Sequence, residues 1–105
     1  MSVREVGSGV IKVKVYTIME LKKICGQREF ELSIPQGSTV KDLLSLMISR
    51  WGDPLSSLLY KPGCDSVLPH IRLMVNGRSI EFLKGMETAL QDGDEFQMLP
   101  LVAGG

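Results

Sequence analysis

An amphipathic helix between Thr39 and Pro54 constrains this chain more than any other feature of its sequence. Apolar residues recur there at intervals of three and four, the spacing of one buried helix face. These residues are Val40, Leu43, Leu44, Met47, Ile48 and Trp51. Thr39 and Asp42 have the spacing of a capping box, and Gly52 before Pro54 is a typical helix end. The sequence therefore predicts a helix over Val40–Trp51.

Four segments around that helix alternate apolar and polar residues, which is typical of half-buried strands. The apolar members are Ile11, Val13 and Val15, then Phe30, Leu32 and Ile34, then Ile71, Leu73 and Val75, and last Phe96 and Met98. The first two segments predict an antiparallel hairpin with a turn at residues 25–27. Asn76-Gly77 and Asp92-Gly93-Asp94 predict tight turns. We also expect a short helical turn at residues 55–60 and a short returning strand at residues 79–83.

One main helix cannot cover both faces of a sheet of four or five strands. We therefore expect an α+β fold in which a mixed four- to five-stranded sheet wraps around one main helix and leaves its other face open to water. The most economical place for the last strand is beside the first, inside the sheet. Residues 10–100 are expected to form this domain, between a flexible N-terminal tail at residues 1–9 and a flexible C-terminal tail at residues 101–105.

Composition excludes several classes of partner. The 105 residues suffice for one compact domain, and 12 basic against 12 acidic residues give zero formal net charge. Nucleic acid is therefore not expected as the main partner, because phosphate neutralisation needs a basic surplus. No segment reaches the ~20 apolar residues of a membrane span, and the start lacks a signal-peptide pattern, so we expect a cytoplasmic chain with no membrane partner. Cys25 and Cys64 match no zinc or redox spacing, so two free thiols and no metal site are predicted.

The sequence ends in Leu101, Val102, Ala103, Gly104 and Gly105. Two glycines at a given pair of positions occur by chance about 0.5% of the time. Five extended residues span roughly 17 Å, and glycine lacks a Cβ, so such an ending can thread a narrow channel. The Gly105 carboxylate becomes an electrophile only after activation, for example as an acyl-adenylate. A sulfur donor can then displace AMP and leave a thiocarboxylate, with no catalytic base from this chain. The alternative is a glycine-rich end without a function.

A docking surface is predicted on the open face of the sheet. If the alternating apolar residues point toward the helix, Met74 and Leu99 point away from it, and with Leu101 they form an apolar patch for partners. Scattered exposed apolar residues are the alternative. The basic residues expected on the same face are Lys12, Lys14 and Arg72. They either steer an acidic partner or are simply solvated.

The element order β-β-α-β-β, the VNGR segment at residues 75–78, the DGDEF segment at residues 92–96 and the ending VAGG together resemble the MoaD/ThiS family of ubiquitin-like β-grasp sulfur carriers. The likeness covers residues 10–105, and the ending is most similar to MoaD, the small subunit of molybdopterin synthase. Two features depart from the common pattern. Pro100 is followed by Leu101 where many members have a second proline, and residues 54–69 are longer and more polar than a minimal member needs.

The resemblance implies a cycle in which other proteins act on Gly105. An adenylating enzyme of the ubiquitin-activating type uses ATP and Mg²⁺ to make the acyl-adenylate, and a sulfur donor protein converts it to the thiocarboxylate. The tail then inserts into the large subunit of molybdopterin synthase, which makes the dithiolene of the molybdenum or tungsten cofactor. Gly105 carries the chemistry, Gly104 gives clearance, and the channel of the partner reads Leu101, Val102 and Ala103. The chain itself binds no cofactor and is a non-catalytic subunit on this reading.

Two other functional classes stay open. In the first, the chain is a ubiquitin-like modifier that forms an isopeptide bond between Gly105 and a target lysine. In the second, it is a β-grasp binding module without C-terminal chemistry. The pathway that receives the sulfur also stays open between molybdopterin, tungstopterin, thiamin, thiolated tRNA and cysteine.

Overall fold

The computed structural model describes residues 9–60 and 71–100. The predicted C-terminal tail, residues 1–8 of the predicted N-terminal tail, and residues 61–70 lie outside the described residues. The elements in chain order are β1 (Val10–Thr17), α1 (Met19–Cys25), β2 (Glu29–Pro35), α2 (Val40–Trp51), α3 (Asp53–Leu59), β3 (Ile71–Val75), β4 (Arg78–Ser79), two 3₁₀ turns (Ile80–Phe82 and Gly85–Glu87) and β5 (Glu95–Pro100). The described chain is therefore α+β, with α2 as its longest helix.

The five strands form one mixed sheet in the order β2-β1-β5-β3-β4. β1 and β2 pair antiparallel, as predicted for the hairpin, and β3 pairs antiparallel with both β5 and β4. β1 and β5 pair parallel, with Lys14 opposite Glu95 and Thr17 opposite Met98. This pairing confirms that the last strand lies beside the first, inside the sheet.

The core lies between the inner face of the sheet and the helices. Alternate residues of β1 and β5 are buried there, and the face of α2 predicted from its periodicity packs against them. The fully buried members on these three elements are Val13, Val15, Val40, Leu43, Leu44, Met47, Phe96 and Met98. Burying a side chain of this size contributes about 1.5–3 kcal/mol. Except for Thr17, which is also fully buried, the polar residues of these strands lie on the opposite face, so the sheet has one core face and one open face.

Helix α2 begins and ends where the sequence predicts. The Thr39 Oγ1 atom accepts a hydrogen bond from the Asp42 N–H at 3.3 Å, and Asp42 Oδ2 accepts one from the Thr39 N–H at 2.9 Å. The pair satisfies donors that a helix start otherwise leaves without partners. Trp51, predicted as a core residue, is only partly buried, and its ring lies 5.3 Å from that of Phe30. The short helical turn predicted near residues 55–60 is α3, which begins at Asp53.

The turn predicted at residues 25–27 is present at Gly26, but the segment before it is a helix that the sequence analysis did not predict. Helix α1 packs through Leu21 and Cys25, which are both buried, and ends at Gly26. Gly26 has a φ of 81°, in the left-handed region that favours glycine, and its N–H donates to the Lys22 carbonyl at 2.7 Å. α1 has seven residues and no side-chain hydrogen bond at its start, so the sequence carries few signals for it.

The short returning strand predicted at residues 79–83 is present as β4, but its predicted bounds are wrong. β4 contains only Arg78 and Ser79, and the chain then forms a 3₁₀ turn over Ile80–Phe82. The Ser79 Oγ accepts a hydrogen bond from the Glu81 N–H at 3.4 Å. A serine side chain that bonds its own backbone in this way competes with a strand ladder.

Asn76 joins the two turns that border β3 and β5. Its Nδ2 donates to Asp94 Oδ1 at 2.9 Å, and its Oδ1 accepts from the Glu95 N–H at 2.9 Å. The Asn76 N–H donates to the Glu95 carbonyl at 2.8 Å, and Asp94 Oδ2 accepts from the Gln91 N–H at 2.8 Å. The VNGR and DGDEF segments are therefore in direct contact, and together they fix the start of β5.

The same turn holds β5 against β1. The Lys12 N–H donates to Asp92 Oδ1 at 2.9 Å, and the Lys12 carbonyl accepts from the Gly93 N–H at 2.8 Å. The Lys14 N–H donates to the Asp94 carbonyl at 2.9 Å. These three bonds set the register in which Lys14 lies opposite Glu95.

We predict that Asn76→Gly lowers the free energy of unfolding by about 1–2 kcal/mol, because glycine keeps the backbone conformation and loses the side-chain bonds. Asn76→Ala should lose about 1 kcal/mol more, because the φ of 52° at this position strains any residue with a Cβ. Urea unfolding of the native chain and both variants measures the order of their stabilities. A Gly variant as stable as the native chain would show that the side-chain bonds contribute nothing.

Candidate functional site

The residues predicted to carry the chemistry and thread a channel lie outside the described residues. They are Leu101, Val102, Ala103, Gly104 and Gly105. The structure shows where this segment begins. β5 ends at Pro100, which pairs with Ile71 of β3, and β5 lies between β1 and β3. The C-terminal segment therefore starts from the middle of the sheet and not from an edge.

The three residues predicted for partner docking lie close together at this point. Arg72 on β3 is directly opposite Leu99 on β5, and Met74 is two residues further along the same side of β3. Arg72 is exposed, whereas Met74 and Leu99 are half-buried. An apolar surface with a basic residue beside it therefore borders the start of the C-terminal segment.

The apolar surface extends beyond the predicted residues Met74 and Leu99. Tyr16 lies opposite Gln97 of β5, and the chain leaves β1 one residue later. Ile18 and Met19 follow, and they are 36% and 52% exposed. The alternation that places Lys12 and Lys14 on the open face continues to Tyr16 and Ile18. The sequence pattern could therefore have predicted that these two residues lie on the open face. We name this surface the exit patch, which consists of Tyr16, Ile18, Met19, Met74 and Leu99 and has the half-buried Gln97 between Tyr16 and Met74.

The other half of the open face is ionic. Lys14 Nζ lies 3.4 Å from Glu29 Oε2, and Lys12, Lys14, Glu31 and Glu95 line a shallow cavity of about 320 Å³. The hydrogen bond with Glu29, assisted by nearby Tyr16, raises the pKa of Lys14, so this lysine stays charged. The charge of Lys14 thus already has a partner.

Arg72 differs from Lys14, because it forms no ion pair with any residue in ranges 9–60 and 71–100. Lys12, which is also exposed on the open face, has no ion pair within these ranges either, so both cations are available to an acidic partner.

Two kinds of site are not found among the described residues. They contain no group of three or more His, Cys, Asp or Glu side chains placed to hold a metal ion. Within the same ranges, no helix has the length and apolar character needed to cross a bilayer.

Cys25 is unsuited to sulfur transfer. Its side chain is 7% exposed, in the core beneath α1, and burial raises the pKa of its thiol to about 11. The thiolate is the reactive form of cysteine, and it is almost absent at neutral pH when the pKa is this high. Cys64 lies outside the described residues.

Comparison with known proteins identifies the family from which these features come. The model of the ThiS family matches residues 17–105, which extends from the end of β1 to Gly105. This chain belongs to the ThiS family. The family match includes the exit patch from Ile18 onward, the turns at Asn76 and Asp94, and the terminal Gly-Gly pair. It confirms the family resemblance and the ubiquitin-like β-grasp fold inferred from the sequence.

Curated relatives of this ThiS-family chain come from archaea. Small archaeal modifier protein 3 of Haloferax volcanii is 36% identical over 84 residues, which cover 80% of this chain and 88% of that protein. A putative sulfur carrier protein of Archaeoglobus fulgidus is 37% identical over 67 residues, which cover 64% of this chain and 74% of that protein.

Solved structures share the same fold. The solution structure of a Haloferax volcanii protein superposes with a TM-score of 0.78 at 31% identity, and covers 92% of this chain and 89% of that one. A putative molybdopterin converting factor, subunit 1, from Pyrococcus furiosus has a TM-score of 0.70 at 26% identity, and covers 88% of this chain and 99% of that one.

The buried thiol makes stability depend on pH in a defined direction. Burial raises the pKa of Cys25 from 9.0 to about 11 in the folded state, so between these values the native chain keeps a proton that the unfolded chain loses. Stability is therefore expected to fall as pH rises from 9, by up to about 1.4 kcal/mol per pH unit.

Urea unfolding between pH 8 and 11 measures this slope, with Cys25→Ser as the control because serine does not titrate there. The native chain should lose stability more steeply than the variant. Equal slopes for the two proteins would show that the Cys25 thiol does not cause the pH dependence.

Proposed function

We propose that this chain is a sulfur carrier whose Gly105 carboxylate is adenylated and then converted to a thiocarboxylate. The observation that carries the proposal is the ThiS-family match, which runs through Gly104 and Gly105 on a β-grasp domain whose β5 ends at the centre of the sheet. A relative named as a putative sulfur carrier protein supports it. The described residues hold no metal cluster, and Cys25 is buried, so the acting catalyst is assigned to partner proteins.

The proposed chemistry balances without a catalytic group from this chain. The Gly105 carboxylate attacks the α-phosphorus of ATP, bound with Mg²⁺ on an adenylating enzyme of the ubiquitin-activating type, and pyrophosphate leaves. Hydrosulfide, supplied by a sulfur donor protein, attacks the acyl carbon. The C–S bond forms as the bond between the acyl carbon and the AMP oxygen breaks, AMP leaves with that oxygen and the electron pair, and the hydrosulfide proton goes to solvent. The product is a nucleophilic sulfur at the end of the chain.

The exit patch is proposed to hold the partner while the C-terminal segment enters its active site. Five extended residues beyond Pro100 reach roughly 17 Å, which separates the reacting carbon from the folded domain. Met74 and Leu99 supply apolar contact at the start of that segment, and Arg72 supplies charge. Leu101, Val102 and Ala103 are then proposed to be read by the channel, and Gly104 to give clearance.

We assign the sulfur to molybdopterin synthesis, in which the chain acts as the small, non-catalytic subunit of the synthase beside a large catalytic subunit. Two observations favour this acceptor. The ending VAGG is most similar to the MoaD side of the family, and a 26% identical structure is named as a putative molybdopterin converting factor subunit.

A second candidate function is protein modification. The relative named small archaeal modifier protein 3 is 36% identical over most of this chain. The activated carboxylate is the same in both functions. In modification, the amine of a target lysine attacks the acyl carbon in place of hydrosulfide, and an isopeptide bond forms at Gly105.

Intact-mass measurement tests the carrier function. We expect incubation with the cognate adenylating enzyme, ATP, Mg²⁺ and sulfide to add the mass of one oxygen-to-sulfur exchange. Deletion of Gly105 should abolish the exchange, and omission of ATP should do the same. An unchanged mass with an enzyme proven active would refute the proposal. Lysine-linked adducts on cell proteins would instead favour the modifier.

Leu99→Asp tests the exit patch. We expect it to lower kcat/KM for adenylation about tenfold, mainly through KM, because the charge is buried against the partner. Pyrophosphate exchange at several concentrations of the carrier separates KM from kcat.

Ser45→Asp is the matched control for this variant. Ser45 is exposed on α2, which packs on the core side of the sheet. The adenylation kinetics of the Ser45→Asp variant should therefore equal those of the native chain. An unchanged KM in the folded Leu99→Asp variant would exclude the exit patch from docking.

A further inference from the structure

β2 is the outer strand of the sheet, and one of its sides has no neighbour among the described residues. At the two ends of the β1–β2 ladder, the Gln36 N–H donates to the Gly9 carbonyl at 2.6 Å and the Thr17 N–H donates to the Arg28 carbonyl at 2.8 Å. Antiparallel pairs alternate between bonded and non-bonded positions, so the even-numbered residues of β2 are those that bond to β1. The odd-numbered residues therefore direct their N–H and C=O groups outward.

The outward groups belong to Glu29, Glu31 and Ser33. No described residue bonds to them. The run ends at Pro35, which has no N–H and whose carbonyl accepts from the Ser38 Oγ at 2.7 Å and from the Ser38 N–H at 3.1 Å. The free edge is thus a short template with alternating donors and acceptors, which is the requirement for adding a strand.

A groove with apolar walls lies on the core side of this edge, at its C-terminal end. It has a volume of about 440 Å³ between the end of β2 and α2. Its lining consists of Ile34, Pro35 and Leu46 together with Gln36, Gly37, Ser38 and Asp42. Leu46 is 40% exposed although it belongs to the long helix that covers the core. Successive side chains of a strand point to opposite faces, so every second side chain of an added strand would lie on the groove side.

The open-face side of the same edge is acidic. Glu29 and Glu31 both lie there, since they alternate with the buried side of β2. Lys14 pairs with Glu29 at 3.4 Å, whereas Glu31 has no ion-pair partner within the described ranges. The remaining side chains of an added strand would therefore meet net negative charge.

We propose that the β2 edge binds an extended segment of a partner protein in which basic and apolar side chains alternate, and that this segment adds to the sheet as a further strand. Its backbone bonds to Glu29, Glu31 and Ser33, its apolar residues enter the groove beside Leu46, and its basic residues face the two glutamates. A second copy of this chain fits less well, because its β2 edge would bring acidic side chains against acidic ones.

This binding site is separate from the proposed chemistry. The edge shares no residue with the exit patch, although Glu29 of the edge lies opposite Tyr16 of the patch on β1. Deletion of Gly105 should therefore abolish the sulfur exchange and leave the edge unaffected, which keeps the failure of one proposal distinct from the failure of the other.

Amide NMR titration of the full chain tests the proposal. The probe is a capped synthetic peptide in which valine and lysine alternate, and the controls are a peptide of the same composition in two blocks and a peptide in which valine and glutamate alternate. We expect saturable shifts and slowed hydrogen exchange at the amides of Glu29, Glu31 and Ser33 with the first peptide only. Shifts that are equal for the block peptide, or confined to the exit patch, would overturn the proposal, as would concentration-dependent self-association through β2.

A matched pair of variants separates backbone pairing from general attraction. Ser33→Pro removes one outward N–H and leaves the β1–β2 hydrogen bonds in place. It is expected to lower the affinity for the valine–lysine peptide about tenfold. Ser33→Ala keeps that N–H, and its affinity for the peptide should lie within about twofold of that of the native chain. Circular dichroism confirms that both are folded. If the Pro variant unfolds, Leu46→Asp and Glu31→Lys take its place, and native affinity in all folded variants refutes the edge as the binding site.

Discussion

The parallel pairing of β1 with β5 is the constraint on which the rest of this structure depends. It joins residues 14–17 to residues 95–98 at the centre of the sheet, and the buried side chains of both strands meet the same helix. The bonds from Asp92, Gly93 and Asp94 to β1 hold the two strands in register. Without that register Phe96 and Met98 would not reach the core, because a shift by one residue turns every side chain of a strand to the other face.

The same pairing divides the open face into two functional regions. Where β1 and β5 begin, lysines and carboxylates lie close together, with Lys14 paired to Glu29. Where both strands end, Tyr16, Ile18 and Leu99 replace them with apolar surface. The C-terminal segment begins beside the apolar region, so the proposed docking of a partner there would hold the partner near this segment. The separation follows from the parallel direction of the two strands, since both run from the ionic end to the apolar end.

Most of the fold could be predicted from the sequence because its signals are local. The bounds of α2 followed from Thr39, Asp42 and Gly52, and the faces of the strands followed from alternation. α1 and β4 could not be predicted in the same way. α1 depends on burial of Leu21 and Cys25 against distant residues, and β4 depends on a hydroxyl bond of Ser79 that shortens the strand. Tertiary contacts override weak local preference in elements this short.

The candidate site was predictable in part for a related reason. Met74, Leu99 and Arg72 could be placed on one face by alternation alone, but which strands are neighbours decides that Arg72 lies opposite Leu99. The contribution of Ile18 and Met19 depends on the same neighbour relation between β1 and β5. The contact between Asn76 and Asp94 joins residues 18 positions apart, and no local pattern indicates it.

The position of β5 also has a consequence for how the protein is made. During translation β1 emerges well before β5, so the centre of the sheet stays open until β5 has also emerged. Pairings between distant segments form slowly, and an open strand edge invites aggregation meanwhile. A surface built from both Ile18 and Leu99 exists only after this closure. Under the proposed docking, a partner that recognises this surface would select folded chains over incomplete ones before it consumes ATP.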